Sequence, residues 1–327
     1  MKFLLTGGSG LIGSYVVKFL LEAGQQVNVL VRNPSKLYSR NQFNLKVFEG
    51  NIIDYKSVDE SIKDCDIVIH LAALVRATTQ NPSEFFSTNV NGTLNLLKAA
   101  EKNKIKKFIF ISSLAGHEFL QQTIINENSL TEPKQYFSKY AESKAKAEEL
   151  VLEYSKYGLP YIIIYPTRVF GIGPLTDANG ATKAINLYLK NRLPFLIDRG
   201  EQYSSWAFVE DVARGIIMGA NSDVSNQRYI LGGENKTLAD VYRIADKISG
   251  KKHLKIYLKN KTALSLASVL EFQAKLMRRK PIITREWLNF VLDSYKISSE
   301  KAIAELNYKI TPIETALEKT INWLKTL

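Results

Sequence analysis

The chain has very few of the residues that build disulfide frameworks and metal centres. It contains one cysteine, Cys65, and three histidines, His70, His117 and His253, which lie far apart. A single cysteine excludes an internal disulfide and indicates a reducing compartment. Histidines this widely separated do not form a metal-ligand pattern, so we expect no metal.

Long apolar runs are also absent. The first residues, MKFLLTGGSG, contain three consecutive apolar residues before the glycines, too few for a signal peptide. No later run approaches the roughly 18 residues of a membrane span. The sequence therefore predicts a soluble, cytoplasmic protein without stable membrane insertion.

The charge is unbalanced, with 44 basic and 32 acidic residues and a net charge of +12. This excess favours anionic partners. The basic residues are scattered apart from small clusters at 102–107 and 277–280, and neither cluster lies beside an aromatic platform or a zinc-finger pattern. We therefore expect a small-molecule partner and no nucleic acid.

Short apolar runs alternate with amphipathic stretches through the first half of the chain. Runs typical of buried parallel strands lie at 2–6, 26–31, 45–50, 66–72, 106–112 and 161–165. Helical patterns between them lie at 11–23, 84–101 and 138–157. This order predicts an α/β fold with a doubly wound parallel sheet.

The sequence pattern changes after Pro166. Residues 167–180 are rich in glycine and turn-forming residues and are predicted to form a loop. Predicted helices follow at 181–191, 209–220, 237–249, 262–279 and 312–327, and a strand at 228–233 is expected to return to the main sheet. We therefore predict a domain at 1–166, to which 206–233 returns, and a smaller, mostly helical domain at 167–327.

A glycine-rich turn lies between the first strand and the first helix. In TGGSGLIG, Gly7, Gly10 and Gly13 fit GxxGxxG, and Gly8, Gly10 and Gly13 also fit GxGxxG. Either pattern allows the backbone to approach a pyrophosphate closely. The helix that begins near Leu11 would offer its free N–H groups to that anion. A dinucleotide is therefore the expected cofactor, with Ser9 and Ile12 beside it.

The end of the second strand selects between NAD and NADP. An acidic residue there would bind the ribose 2′-hydroxyl of NAD, whereas a cation would accommodate the 2′-phosphate of NADP. The sequence has Arg32 in that place with Lys36 nearby, and no acidic residue between Glu22 and Glu49. NADP is favoured over NAD, although Arg32 could also be a solvated surface residue.

YAESK, at 140–144, places a tyrosine and a lysine four residues apart in a helical pattern. Residues at this spacing share one face of a helix. Both residue types are common, so the spacing alone is weak evidence for a proton-handling pair.

Five motifs together resemble the extended short-chain dehydrogenase/reductases, and most closely their dihydroflavonol-reductase-like branch. They are TGGSGLIG (6–13), HLAA (70–73), NVNGTLNLL (89–97), FISS (110–113) and YAESK (140–144). WAFVEDVARG (206–215), RYILGGENKTLADV (228–241) and SSEKAIAELNY (298–308) are similar to later parts of the family. The resemblance implies a Rossmann-like sheet with a C-terminal substrate domain.

The same resemblance implies the catalytic residues. Tyr140 occupies the place of the acid/base, and Lys144 would hold the nicotinamide ribose and lower the tyrosine pKa. Ser113 aligns best with the serine that stabilises the substrate oxygen, with Ser112 as the alternative. Tyr136 is not a candidate, because Tyr140 rather than a lysine stands four residues beyond it.

Further positions follow by analogy. Asn51 departs from the family's aspartate near adenine, and Asn89 could brace a helix or strand instead of binding cofactor. His70 is interpreted as structural. Implied cofactor positions are Asn51, Ile52, Leu71, Ala72, Ala73, Asn89, Ser112, Pro166, Thr167 and Val169. Implied substrate positions are Leu114, Ala115, Arg168 and Trp206.

Three functions fit these residues: an NADPH-dependent reductase of a ketone or aldehyde, a nucleotide-sugar epimerase or dehydratase with a retained cofactor, and a non-enzymatic NADP(H) sensor. The intact tyrosine–lysine pair disfavours the sensor. Epimerases of this type commonly have an asparagine where Arg168 stands, and an arginine near Ser204 or Ser205. Their absence, with Arg32, favours the reductase.

Two surfaces carry further hypotheses. The amphipathic helix at 262–280 ends in basic residues and could lie on an anionic membrane or border an apolar substrate, although packing on the substrate domain is the simpler interpretation. By analogy, the helices at 84–101 and 138–157 could form a homodimer, and a monomer is equally compatible with the charge.

Overall fold

A computed structural model describes residues 1–37, 42–75, 81–119, 124–277, 288 and 294–327. The strands are β1 (Lys2–Thr6), β2 (Gln26–Val31), β3 (Leu45–Glu49), β4 (Ile67–His70), β5 (Lys107–Ile111), β6 (Glu118–Phe119), β7 (Ile124–Ile125), β8 (Leu130–Thr131), β9 (Tyr161–Pro166), β10 (Arg168–Phe170), β11 (Phe195–Ile197), β12 (Tyr203–Phe208), β13 (Gln227–Leu231), β14 (Glu234–Thr237), β15 (Ile256–Leu258) and β16 (Lys296–Ile297).

The helices alternate with the strands through the first half and dominate parts of the second. They are α1 (Leu11–Glu22), α2 (Tyr55–Ser61), α3 (Ser83–Phe85), α4 (Gly92–Lys102), α5 (Lys139–Ser155), α6 (Gly180–Leu189), α7 (Val209–Asn221), α8 (Leu238–Ser249) and α9 (Asn260–Leu276), followed by Glu300–Leu306 and Ile313–Leu324. In the part of the chain described, no helix has both the length and the apolar content needed to cross a membrane.

Seven parallel strands form the central sheet, in the order β13-β9-β5-β4-β1-β2-β3. Apolar side chains cover both faces, which is why these strands read as continuous apolar runs. On one face α1 and α7 pack against the sheet, and on the other α2, α4 and α5 do so. The predicted Rossmann-like, doubly wound sheet is confirmed.

The second half contains more strand than the sequence predicted. Residues 167–180 were expected to be a loop, but Arg168–Phe170 forms β10, which pairs in parallel with Trp206–Phe208 of β12. β12 in turn pairs with β14, so 206–208 belong to this separate three-stranded sheet. Of the segment expected to return to the main sheet, β13 joins it beside β9, and α7 packs on its face.

A third apolar cluster holds the second half together. It joins the three-stranded sheet to α6, α8 and the helix Ile313–Leu324, and it also includes Leu11 of α1. The second half of the chain therefore contacts α1, where the Tyr15 hydroxyl also donates to the Ile172 carbonyl at 3.1 Å.

Three helical features differ from the sequence prediction. The helix expected at 84–101 contains a π-helical stretch at Phe86–Asn91 between α3 and α4. Two short helices, Tyr55–Ser61 and Glu300–Leu306, were not predicted, because seven residues are too few to show the helical period clearly. The end of the helix predicted at 262–279 lies outside the described residues.

Candidate active site

The glycine-rich turn is packed so closely that two of its glycines leave no room for a side chain. Gly7 has a φ of +78°, and a Cβ there would lie 2.7 Å from the backbone nitrogen of Ala72. A Cβ on Gly13 would lie 2.2 Å from the carbonyl oxygen of Gly7. These contacts bring the backbone of the turn, the start of α1 and the end of β4 together at the carboxyl edge of the sheet.

The start of α1 is open to a ligand. Gly10 is the exposed N-cap residue, no side chain caps the helix, and its first turn carries no acidic residue. Ser9 is half-buried beside it, whereas Leu11 is buried. An uncapped helix N-terminus in a glycine cradle fits the pyrophosphate of a dinucleotide, as the sequence predicted.

At the end of β2, the Arg32 side chain is exposed, and it makes no hydrogen bond or ion pair with any described residue. Lys36 is also exposed, at the end of the 3-10 turn Pro34–Lys36. Asn33 caps that turn by accepting a hydrogen bond of 2.8 Å from the Ser35 backbone N–H. Both cations are therefore available to a 2′-phosphate.

The two residues predicted near adenine follow β3. The Asn51 side chain accepts a hydrogen bond of 3.3 Å from the Ile53 backbone N–H, which orders the turn into α2. Ile52 is buried against Gly92, where a Cβ would come within 2.5 Å of the Ile52 side chain. Asn95 of α4 donates bonds of 3.0 Å to the carbonyls of Ile52 and Ile53.

His70 holds the end of β4 in place. Its Nδ1 lies 2.7 Å from the Thr6 hydroxyl and its Nε2 lies 3.0 Å from the Thr93 hydroxyl. Thr93 donates its own proton to the Asn89 carbonyl, so Nε2 carries the imidazole proton. Burial, with a smaller contribution from the charge of Lys144, lowers the His70 pKa to about 3. His70 is a neutral structural residue, as the sequence suggested.

Leu71, Ala72 and Ala73 leave β4 along the glycine-rich turn. The Leu71 N–H donates to the Thr6 carbonyl at 3.2 Å, and the Ala72 N–H donates to the Thr6 hydroxyl at 3.3 Å. All three residues are half-buried. Their backbone is thus fixed beside Gly7, where the cofactor would pass.

Asn89 is fully engaged within the protein. Its side-chain oxygen accepts a 2.7 Å bond from the Leu74 N–H, and its amide donates to the Leu74 carbonyl and to the Ser143 hydroxyl. These bonds tie the segment after β4 to α5, the helix that carries Tyr140. They support the bracing interpretation over direct cofactor contact.

Ser113 and Tyr140 lie close together at the carboxyl edge of the sheet. Ser113 follows β5 and accepts a 3.3 Å hydrogen bond from the Ala115 N–H, which leaves its own proton free to donate. Tyr140 lies in the first turn of α5 with its ring against Phe85, 6.2 Å between centroids. Burial raises the pKa of the Tyr140 phenol, and hydrogen bonding by Ser113 opposes that rise.

Lys144 lies one turn beyond Tyr140 and is 3% exposed. Its ammonium donates a 2.6 Å hydrogen bond to the Ile111 carbonyl and lies 4.3 Å from the centre of the Phe110 ring. Burial lowers its pKa to about 7, although the charge of Glu148 acts in the opposite direction. The lysine is therefore anchored to the strand that carries Ser113.

A buried carboxylate behind the site was not predicted. Glu148 accepts hydrogen bonds of 2.7 Å from the Ser112 hydroxyl and 2.6 Å from the Tyr165 hydroxyl, and lies 3.3 Å from both His117 and Arg228. Burial would raise its pKa, but these hydrogen bonds hold the pKa below its usual value. Since Ser112 faces Glu148 while Ser113 reaches Tyr140, the geometry favours Ser113 as the catalytic serine.

Comparison with known proteins identifies the family of this chain. Residues 3–232 match the NAD dependent epimerase/dehydratase family. The chain belongs to this family.

The matches include both reductases and epimerases. A Synechocystis protein described as a dihydroflavonol 4-reductase is 26% identical over 329 residues, which cover 99% of this chain and 94% of that protein. The crystal structure of gox2253 has a TM-score of 0.82 and 29% identity, over 99% of this chain and 98% of its own. The UDP-glucose 4-epimerase of Thermotoga maritima, with a TM-score of 0.80 and 22% identity over 100% and 99% of the two chains, shares the fold.

Members of the epimerase/dehydratase family are NAD(P)-dependent enzymes of the oxidoreductase type, and this chain is one of them. Within the described residues, the expectation that Lys144 lowers the Tyr140 pKa is wrong: burial raises that pKa, and Lys144 is not among the groups that shift it. The reason is that Lys144 points its ammonium at the Ile111 carbonyl.

The remaining predicted positions of this family member lie around β10 and directly after Ser113. Pro166 ends β9, and the Thr167 hydroxyl donates to the Ser205 hydroxyl at 3.2 Å. Val169 is half-buried beside the apolar clusters. Leu114 and Ala115 form a half-buried 3-10 turn directly after Ser113, with Gly116.

Arg168 is the most unusual of the predicted substrate positions. Its guanidinium lies 5.3 Å from the centre of the Trp206 ring, and burial lowers its pKa to about 10. No described residue forms a hydrogen bond or an ion pair with the guanidinium. Trp206 is itself 3% exposed, so it supports Arg168 and offers little surface of its own to a substrate. A partly buried cation without a partner is suited to an anionic group of a ligand.

Proposed function

We propose that the protein is an NADP(H)-dependent reductase of a ketone or aldehyde, with Tyr140 as the acid/base. The observation that carries the proposal is the joint placement of Ser113, Tyr140 and Lys144 at the sheet edge that also holds the open start of α1. The choice of NADP rests on Arg32, which is exposed and unpaired among the described residues.

The bound cofactor would supply the hydride. In the reductive direction Ser113 would donate a hydrogen bond to the substrate oxygen, and Tyr140 would give that oxygen its proton as negative charge develops there. Lys144, fixed by the Ile111 carbonyl, would hold the ribose and leave room for the substrate next to Ser113. Reversal of these roles oxidises an alcohol.

The unpaired guanidinium of Arg168 supports substrates with a carboxylate or phosphate beside the carbonyl group. A first substrate panel would therefore pair each neutral aldehyde or ketone with an analogue that carries an acid group. Activity with NADPH on the acid-bearing member of a pair, lost in Arg168→Gln, would support this choice.

The reductase and the epimerase or dehydratase interpretations predict different behaviour of the purified protein. A reductase releases its cofactor in each turnover, so the protein should be isolated without nucleotide and should bind added NADPH. Nucleotide that stays bound through purification, released by acid and identified as NAD, would instead favour an epimerase or dehydratase.

Arg32→Asp tests the cofactor choice directly. Loss of charge-assisted bonds to the 2′-phosphate should weaken NADPH binding by about 1.5–3 kcal/mol and leave NADH binding unchanged. Titration of both nucleotides by fluorescence measures the two effects, with Lys36→Asp as a matched variant nearby. Equal losses for both nucleotides in Arg32→Asp would refute the assignment.

A further inference from the structure

The outward face of α9 carries large apolar side chains although it lies on the surface of the protein. Large side chains are exposed along it: Leu266 by 44%, Val269 by 52%, Phe272 by 70% and Leu276 by 77%. Met277, directly after the helix, is 61% exposed. Among the other exposed residues of α9, Thr262, Ser265 and Gln273 are uncharged, and Lys261 in the first turn is basic.

The inward face of α9 already has its partners. Ala263 and Ala267 are buried and form a small cluster with Leu288, against which Ile197, Leu258 and Leu264 pack. The exposed residues point away from this cluster. The apolar outward face is therefore additional to the face that fixes the helix on the protein.

The segment that leads into α9 extends the same character. Leu254 is 57% exposed, and Tyr257 of β15 is 59% exposed. We refer to residues 254–277 as the lid, and to Leu254, Tyr257 and the outward face of α9 as the apolar surface of the lid. Monomeric soluble proteins rarely expose this many large apolar side chains in one short segment unless something binds there.

Positive charge surrounds the apolar surface of the lid. Residues 250–280 contain nine lysines and arginines and one acidic residue, Glu271. Lys251, Lys252, Lys259 and Lys261 are exposed, and none of these four has a carboxylate partner in the described parts of the chain. The last three basic residues, 278–280, lie outside the described residues and count here as sequence.

We propose that the apolar surface of the lid is a peripheral docking site for an anionic phospholipid membrane. A helix with an apolar outward face and exposed lysines before and at its start matches the pattern of proteins that lie in the headgroup region, with the apolar side chains entering the acyl boundary. The charge argues against a second copy of this chain, since two such surfaces would bring the four exposed lysines of each copy together without carboxylate partners for them in the described residues.

Vesicle flotation tests the proposal on the full-length protein. Vesicles of phosphatidylcholine alone and of phosphatidylcholine with phosphatidylglycerol are compared at low and high salt. The protein should float with the anionic vesicles, remain free with the neutral ones, and lose binding as salt rises.

Two variants separate the apolar and the charged contributions. Phe272→Glu and the double variant Lys251→Glu with Lys252→Glu should each weaken binding to anionic vesicles by about tenfold or more. Tyr157→Glu is the matched control, because Tyr157 is 72% exposed but lies beyond the end of α5. All variants should keep the wild-type melting temperature, since every substituted side chain is exposed.

Other results overturn the proposal. Equal flotation of Phe272→Glu and wild type would show that the apolar surface of the lid does not contact lipid. Absence of flotation with anionic vesicles, together with a dimer in light scattering that Phe272→Glu dissociates, would assign the surface to a second copy. Absence of both would show that the surface binds neither.

Discussion

At Tyr140 two opposing effects meet in one side chain. Burial raises the pKa of the phenol, so within the protein alone it is held as a proton donor, while the hydroxyl of Ser113 favours its ionised form. A phenol of this kind suits donation to a developing alkoxide. The raised pKa keeps the Tyr140 phenol protonated, which is the form that the proposed acid role in carbonyl reduction requires.

Tyr140→Phe and Lys144→Met should have different consequences. The first removes one oxygen and keeps the ring against Phe85, so cofactor affinity and melting temperature should hold while the rate falls by roughly 10²–10⁴. The second removes the ammonium bound to the Ile111 carbonyl, so cofactor affinity should fall along with the rate. Nucleotide titration and steady-state rates on one substrate distinguish them.

A Tyr140→Phe protein that keeps most of the wild-type rate would contradict the proposed chemistry. Tyr136→Phe is a suitable control, because this tyrosine is on the same segment but has no lysine four residues later. Its rate should stay close to wild type.

His70 makes the stability of the protein depend on pH. Its pKa is about 3 in the folded protein and 6.5 in an ordinary environment, so the unfolded chain takes up a proton first as the pH falls. Stability from this residue is therefore complete above pH 6.5 and decreases toward pH 3, with a loss of about 2 kcal/mol between pH 6.5 and 5.

Urea unfolding of the wild type and of His70→Gln across this pH range measures the effect. The variant should be less dependent on pH by about the same 2 kcal/mol, whatever its stability at neutral pH. Parallel curves for the two proteins would show that His70 does not supply the pH dependence.

In the turn between β1 and α1, we expect Gly13 to be needed for folding and Gly10 to be needed for nucleotide binding. A Cβ on Gly13 would lie 2.2 Å from the Gly7 carbonyl oxygen, whereas one on the exposed Gly10 would lie 3.2 Å from the same atom. Gly13→Ala should therefore destabilise the protein by about 1–3 kcal/mol through overpacking. Gly10→Ala should keep the melting temperature within a few degrees but weaken nucleotide binding.

Thermal unfolding and nucleotide titration of both variants test this division. If Gly10→Ala binds NADPH as tightly as the wild type, the exposed start of α1 is not where the pyrophosphate lies. If Gly13→Ala is as stable as the wild type, the turn is more adaptable than its packing indicates.

The elements that could be predicted from sequence are those with a long, regular pattern. The buried strands of the central sheet read as continuous apolar runs because both faces are covered, and α1, α5 and α8 show the helical period. β10 was missed because three residues, Arg168–Phe170, carry no period and stand among glycines and turn formers. Their pairing with β12 is a tertiary contact.

The residues of the site also divide into those that a local sequence pattern predicts and those that depend on tertiary contacts. The YxxxK spacing places Tyr140 and Lys144 on one helix face, and the glycine spacing indicates the turn, because both are local. Glu148 is buried through partners on other elements, such as Tyr165 and Arg228, which no spacing in the sequence connects. The pKa of Tyr140 was misjudged for a similar reason, since it depends on burial.

For the whole molecule, the C-terminal helix is part of the core. Ile313, Leu317, Ile321 and Leu324 are each at most 4% exposed in the cluster that joins the second half to α1. At about 1.5–3 kcal/mol for each large apolar side chain, their loss would remove as much free energy as a typical domain has. Deletion of 313–327 should therefore give an unfolded or aggregated product.

Deletion of 325–327 is the matched control, because these three residues are exposed. Circular dichroism and melting of the purified proteins should show a native fold for the short deletion. A soluble, cooperatively folded protein after the longer deletion would contradict the central place given to this helix.

A homodimer through α4 and α5 stays a prediction, which light scattering of the intact protein would decide.

The links between the central sheet and the three-stranded sheet set a limit on motion. β9 passes to β10 through Thr167 alone, β12 runs directly into α7, and β13 passes to β14 through Gly232 and Gly233. These links are also bonded to one another, since Ser205 accepts from the Gly233 N–H and from the Thr167 hydroxyl. These three links are short and bonded to one another, so we expect the two sheets to keep their relative position and substrate to enter and product to leave by movement of loops. The scattering profile should then keep the same radius of gyration with and without nucleotide.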